Sequence, residues 1–90
     1  MQVANIRCRR LVQDRVPFRG SNLYAEPRPD GVYVVFSYGE HFPLFVYKGG
    51  RWFENSDRYS VSTSKHRTQS HPHVDTVKLP TDELKRLLSA

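Results

Sequence analysis

The sequence predicts a small α+β domain in which an antiparallel β-sheet of four to five strands carries a C-terminal amphipathic helix packed on one face. Residues 32–54 are rich in β-branched and aromatic side chains and are interrupted by turn residues at short intervals, a pattern typical of a central β-meander. Residues 81–89 carry leucines at helical spacing. The chain has 90 residues, which can fill one core, so we expect a single domain over residues 1–90.

The chain before the meander is predicted to be extended. Residues 3–12 carry apolar side chains at mixed spacing with arginines between them, and we interpret this segment as a strand that Pro17 ends. Residues 21–26 are predicted to form a further short strand, and Pro27 and Pro29 are expected to interrupt regular structure directly after it.

The meander itself contains three predicted strands. Successive side chains of residues 32–38 point to opposite faces, and both faces are largely apolar. We therefore expect this strand to lie in the centre of the sheet. Residues 42–48 and 51–54 form the next two strands, and the Gly49-Gly50 pair between them suits a hairpin turn with positive φ.

The C-terminal part combines a polar segment, an edge strand and the helix. Residues 59–70 are rich in serine and threonine and are predicted to form a short helix or a loop, and residues 74–79 alternate as an edge strand does. Thr81 is the predicted N-cap of the helix. The apolar stripe of the helix consists of Leu84, Leu87 and Leu88. We expect this stripe to pack on the sheet face that Trp52 helps to form.

The net charge of +5 is unevenly distributed along the chain. Residues 1–30 hold six basic and three acidic side chains, residues 31–57 hold two basic and three acidic, and residues 58–75 hold three basic and one acidic. Two basic flanks are compatible with contact to a polyanion, and also with an ordinary solvated surface. No apolar run approaches the roughly 18 residues of a membrane span and no signal-peptide pattern is present, so we expect no membrane contact and a cytoplasmic location in the host cell.

Two kinds of side chain are candidates for binding nucleic acid or another partner. Basic groups in both flanks suit phosphates, with solvated edge charges as the alternative. In an extended segment, Arg7 and Arg9 share one face and Arg10 lies on the other. Two tyrosines alternate away from the presumed core face, where exposed rings can stack on bases or fill a partner's pocket. The full set is Arg7, Arg9, Arg10, Tyr33, Tyr47, Lys65 and Arg67.

No residue pattern in the sequence predicts catalysis. Cys8 is the only cysteine, so it cannot form an internal disulfide, and we expect it to be a small buried hydrophobe. The serines lack a nucleophile elbow, and the glycines lack a phosphate-binding spacing. Four histidines lack the ligand spacing of a zinc site, namely His41, His66, His71 and His73. We therefore predict no catalytic residues, no metal and no cofactor.

A further pattern combines turn and polar residues. A Ser-Tyr-Gly turn is followed by His41 and Pro43, a tryptophan lies in the third meander strand, and a Tyr-Ser-x-x-Thr segment ends in His66. On these residues the stretch 32–69 resembles a small domain of unknown function found in phage and archaeal proteins. The resemblance implies a matching polar cluster, which either builds a shared site or locks turns through buried hydrogen bonds. This cluster is Tyr38, His41, Asn55, Tyr59, Ser60, Thr63 and His66.

The function expected from these features is that of a small non-enzymatic binding module. We expect it to be encoded by a phage or mobile element and to act on a host protein or ribonucleoprotein complex, as inhibitors of host defence do. The alternative is direct DNA or RNA binding through the basic flanks, and a second alternative is a small metal-dependent nuclease. A chain of this size has a small core, so a homodimer is a further expectation.

Overall fold

The structure is a computed structural model that describes residues 8–20, 22–37, 42–57, 70–72 and 74–89. Its elements, in chain order, are α1 (Cys8–Gln13), β1 (Phe18–Arg19), β2 (Leu23–Arg28), β3 (Val32–Ser37), β4 (Pro43–Lys48), β5 (Arg51–Asn55), β6 (Val77–Leu79) and α2 (Thr81–Ser89). A single 3-10 turn, Pro29–Gly31, joins β2 to β3. The predicted α+β class is confirmed.

The strands form one sheet in chain order. Strands β1 to β5 pair antiparallel with their neighbours, so the predicted meander is confirmed. β6 lies at the edge, as predicted, but pairs parallel with β5, with Phe53 opposite Val77. Parallel neighbours need a connection that returns the chain to the same end of the sheet. In the described part of the chain the sheet has six strands, where four to five are expected from the sequence.

Helix α1 occupies the end of the segment that the sequence predicts as a strand. Val12 is fully buried, and Leu11 packs against the same core. The helix ends in a Schellman-type cap, in which Val16 N–H donates to Leu11 O at 2.8 Å while Arg15 adopts a φ of 54°. Glycine is the usual residue at the Arg15 position, so the sequence carries no recognisable stop signal and the strand prediction for residues 8–12 is wrong.

Each face of the sheet carries a cluster of buried side chains. The face toward α1, here called the α1 face, carries the larger core, formed by Val12, Phe18, Leu23, Ala25, Tyr33, Val35, Phe42, Leu44, Phe45 and Trp52. The opposite α2 face carries Val32, Val34, Phe36, Val46 and Leu84. All six residues of β3 are buried, which confirms its central position. A β-bulge places both Leu44 and Phe45 in the first core.

Helix α2 packs over β4 and β5, as predicted for a docked helix. Leu84 is fully buried, and Leu87 and Leu88 contact the same core. The expectation that the helix shares a face with Trp52 is wrong, because Trp52 points to the α1 face while its neighbour Phe53 packs on the α2 face. No helix in the described part of the chain is long and apolar enough to cross a membrane.

The start of α2 is capped by a residue far away in the chain. Pro80 O accepts the Leu84 N–H at 3.1 Å, so the first turn already includes Thr81. The Thr81 N–H donates to Asp57 Oδ2 at 2.9 Å. The expectation that Thr81 caps the helix with its own side chain is wrong, since its hydroxyl accepts a hydrogen bond from Asn55 instead.

Candidate binding surface on the sheet

The two tyrosines that the sequence singles out lie on the α1 face. Tyr33 is 2% exposed, its hydroxyl donates to Val16 O at 2.8 Å, and its ring meets Trp52 edge to face. The expectation of an exposed Tyr33 ring is wrong, because α1 and the residues after it cover this face. Tyr47 is half-buried against Trp52, and the Arg15 guanidinium lies 4.4 Å from its ring centre.

Arg9 and Arg10 lie on helix α1, so their expected alternation along a strand is wrong. Arg9 Nε donates to His71 O at 3.1 Å. The Arg10 side chain is 84% exposed and forms an ion pair with Asp14 at 3.3 Å. Three other basic candidates lie outside the described residues, namely Arg7, Lys65 and Arg67.

Asn55 is the member of the predicted polar cluster that falls within the described residues. It is fully buried, and its Nδ2 donates to Pro43 O at 2.7 Å and to the Thr81 hydroxyl at 2.9 Å. Its Oδ1 accepts the Asp57 N–H at 2.8 Å. Asn55 therefore holds β4, β5 and α2 together. The other members lie outside the described residues: Tyr38, His41, Tyr59, Ser60, Thr63 and His66.

A buried carboxylate that the sequence analysis does not identify lies on the α1 face. Glu54 is 5% exposed, and its Oε1 accepts hydrogen bonds from the Thr76 hydroxyl at 2.8 Å and pairs with His71 Nε2 at 3.1 Å. The His71 ring packs edge to face on Phe45. Strand alternation from Trp52 is the signal that places Glu54 inside. Within the described residues no group of three histidine, cysteine or acidic side chains is placed to hold a metal ion.

The other face carries a row of charged and aromatic side chains across β1, β2 and β3. Register pairs Arg19 with Tyr24 and Tyr24 with Phe36, so all three point to the α2 face. The Arg19 guanidinium lies 5.0 Å from the Tyr24 ring centre, and the Tyr24 and Phe36 rings stack at 5.2 Å. The Arg28 guanidinium lies 5.5 Å from the Phe36 ring centre. We call these four residues the cation–aromatic row.

The members of the row differ in their access to solvent. Phe36 is 1% exposed, so it serves as a support beneath Tyr24 and Arg28. Arg19 is exposed and Tyr24 is half-buried. Arg28 is fixed by an ion pair with Glu26 at 2.8 Å, yet 36% of its side chain stays accessible. The row therefore presents two guanidinium groups to a ligand, together with the edge of the Tyr24 ring, whose two faces meet Phe36 and Arg19.

A cleft of about 460 Å³ continues the row toward the end of α2. It lies between the β2–β3 turn, the β4–β5 hairpin and the last turn of α2, and it is lined by Arg28, Pro29, Val32, Lys48, Gly49, Leu87 and Leu88. Lys48 Nζ donates to Leu87 O at 2.6 Å, which fixes the ammonium group at the rim. Arg51, which is exposed, pairs in register with Lys48. The row and the cleft together carry three cationic side chains, and Arg51 beside Lys48 is a fourth. Glu26, which pairs with Arg28, is a carboxylate on the same face.

Sequence reasoning did not identify Arg19, Tyr24 or Arg28 as binding residues. Alternation within β2 places Tyr24, Glu26 and Arg28 on one face, and this signal is present in the sequence. Their alignment with Arg19 depends on the pairing of β1 with β2, which local patterns do not fix.

Comparisons of the chain with protein-family models, with curated proteins and with solved structures find no match. The function is therefore inferred from the geometry of the described residues.

Proposed function

We propose that the protein is a non-enzymatic binding module that holds a single-stranded nucleic acid on the cation–aromatic row. The observation that carries the proposal is the cross-strand alignment of Arg19, Tyr24 and Phe36, with Arg28 over the far ring. Cationic groups that follow a backbone, combined with a ring that a base can stack on, are the features by which proteins bind single strands.

The dimensions of the surface suit a short strand of nucleic acid. From Arg19 on β1 to Lys48 on β4 the face spans three strand spacings, about 14 Å, and roughly 13 Å along the strand direction. Cations at both ends and Arg28 between them offer contacts to successive phosphates. The surplus of cations over the one carboxylate favours a polyanion along this path.

A single strand fits this surface better than a duplex does. Phe36 covers one face of the Tyr24 ring and the Arg19 guanidinium lies over the other, so a base stacks on Tyr24 by taking the place of Arg19 over the ring, and this requires an unpaired base. A duplex buries its base faces and is entered through its grooves by a helix or a narrow ribbon. A ribonucleoprotein, expected as partner from the sequence, supplies such a strand through its RNA.

The buried Glu54–His71 pair is assigned to folding rather than to catalysis. Glu54 is covered by Thr76 and His71, while Arg9 and Gln13 of α1 hold the backbone of residues 71 and 72 in place. These hydrogen bonds hold residues 71, 72 and 76 against α1 and β5.

The proposal is tested by fluorescence anisotropy with labelled 12-nucleotide single strands of oligo-dT and oligo-rU, and with a duplex of equal length, at low salt. We expect both single strands to bind more tightly than the duplex. Arg19→Gln is expected to weaken binding several-fold, whereas Lys85→Gln is the matched control, because Lys85 is an exposed cation on α2.

Three results would overturn the proposal: no binding of either single strand at low salt, a preference for the duplex, or equal losses in Arg19→Gln and Lys85→Gln. If no nucleic acid binds and the same surface variants abolish capture of a host protein, the protein-partner hypothesis takes its place.

A further inference from the structure

The cleft at the end of the row is chemically distinct from the row itself. Val32, Leu87 and Leu88 supply its apolar part, here called the floor, and Arg28 and Lys48 supply its cationic part, here called the rim. Its volume of about 460 Å³ lies within the range of small-molecule sites. A ligand that satisfies both parts has an anionic group joined to an apolar body.

We infer that the cleft takes one nucleotide unit, with its phosphate at the Arg28–Lys48 rim and its base on the apolar floor. This inference rests on the proposed function. The shared residue is Arg28, which lies over Phe36 in the row and also lines the cleft. Arg28 therefore joins the two sites: its guanidinium lies at the row, and the same residue lines the near side of the cleft.

The donors at the rim are held in position before a ligand arrives. The Lys48 ammonium donates one hydrogen bond to Leu87 O, and an ammonium has three N–H groups. The Arg28 guanidinium is oriented by Glu26. A bare phosphate makes no use of the apolar floor, and a neutral apolar ligand makes no use of the cations, so the two halves of a nucleotide match the two halves of the cleft.

Gly49 allows the rim charge to be changed without disturbing the fold. It adopts a φ of 61°, a conformation that asparagine and aspartate tolerate, and a Cβ added there meets no atom within 4 Å. Gly49→Asp places a carboxylate at the cleft, and Gly49→Asn is its uncharged match. Gly50→Asp places the same charge one residue further along the turn, at a residue that does not line the cleft.

The test is a titration of the full chain with uridine monophosphate, followed by amide chemical shifts. We expect shifts at Gly49, Leu87 and Leu88, with uridine alone and inorganic phosphate alone each binding more weakly. Gly49→Asp is expected to weaken binding about tenfold relative to Gly49→Asn, because like charges repel at short range. Gly50→Asp is expected to lose less.

Several results would overturn the inference. These are an absence of shifts at the cleft, equal binding by Gly49→Asp and Gly49→Asn, or tighter binding of octanoate than of the nucleotide, which would assign the cleft to an acyl anion. The labelled 12-mers separate this inference from the proposed function. If single strands bind Gly49→Asp and Gly49→Asn equally, the nucleotide site in the cleft is refuted and the proposed function of the row stands. If single strands fail to bind the unmodified chain, the proposed function is refuted.

Discussion

The side-chain amide of Asn55 donates to the hydroxyl of Thr81 at 2.9 Å and thereby joins the last residue of β5 to the first residue of α2. The same amide nitrogen donates to Pro43 O, and the amide oxygen accepts from the Asp57 N–H. Asp57 in turn accepts from the Thr81 N–H. One buried side chain thus fixes the position of the helix whose last turn forms the cleft.

Asn55→Ala is expected to lower the free energy of unfolding by about 2–4 kcal/mol, because it leaves the buried Pro43 carbonyl and the Asp57 N–H without this partner. Denaturant unfolding measures the change. Ser56→Ala is the control, since its side chain is exposed and its N–H bond to Leu79 O involves only backbone, and we expect a change within about 0.5 kcal/mol. Equal effects of the two substitutions would contradict the assigned role of Asn55.

Leu84→Ala is expected to cost about 2–5 kcal/mol of unfolding free energy, since Leu84 is fully buried against the α2 face. Leu87 is half-buried, so Leu87→Ala is expected to cost only about 1 kcal/mol. Thermal or denaturant unfolding of both variants tests the order. If Leu87→Ala lowered the unfolding free energy more than Leu84→Ala does, Leu87 rather than Leu84 would face the sheet, and the helix orientation described here would be wrong.

Tyr33→Phe is expected to cost about 1 kcal/mol of stability through loss of the hydrogen bond to Val16 O, and to leave nucleic acid binding unchanged. Unfolding and anisotropy measurements on the same sample test both parts. A stable Tyr33→Phe protein with impaired binding would restore Tyr33 as a binding residue.

Gly49→Asn is expected to raise the free energy of unfolding by about 0.5 kcal/mol, because it restricts the unfolded chain and suits the two-residue turn with positive φ at both positions. Gly49→Ala is expected to lower it by about 1 kcal/mol, since alanine is strained in the left-handed region. The melting temperatures of the two variants should therefore move in opposite directions. Melting temperatures that both rise or both fall would contradict this turn geometry.

Substitutions of Tyr24 distinguish the contribution of base stacking from that of charge in the proposed interface. Tyr24→Leu is expected to weaken single-strand binding by about 1–3 kcal/mol through loss of one base–aromatic stack, while Tyr24→Phe keeps the ring and is expected to bind nearly as the unmodified chain does. Fluorescence anisotropy titrations of the two variants at one salt concentration measure the difference in affinity. Full binding by Tyr24→Leu would show that no base stacks there.

Local periodicity was sufficient to predict β3 and α2. The run of β-branched and aromatic residues Val32–Phe36 and the leucine spacing of α2 depend on neighbouring residues alone. Helix α1 was missed because Arg15 fills the position where a glycine normally marks the helix end.

Features that depend on distant residues could not be predicted from local patterns. The parallel pairing of β6 and the cap that Asp57 gives to α2 both join parts of the chain far apart in sequence. Trp52 and Phe53 are both apolar, so strand alternation cannot show which of them meets the helix. Alternation sets Tyr33 on the face opposite Val32 and Val34 but does not show that α1 covers that face. The row depends on the registers of three strands, which local patterns do not contain.

The most direct test of the cation–aromatic row is the salt dependence of single-strand binding by the unmodified chain, Arg19→Gln and Lys85→Gln. With three to four phosphate contacts, the logarithm of the association constant should fall against the logarithm of salt concentration with a slope of roughly −2 to −3. Arg19→Gln should reduce the magnitude of that slope by about 0.7, and Lys85→Gln should leave it unchanged. A slope near zero, or equal slopes for Arg19→Gln and the unmodified chain, would contradict the account.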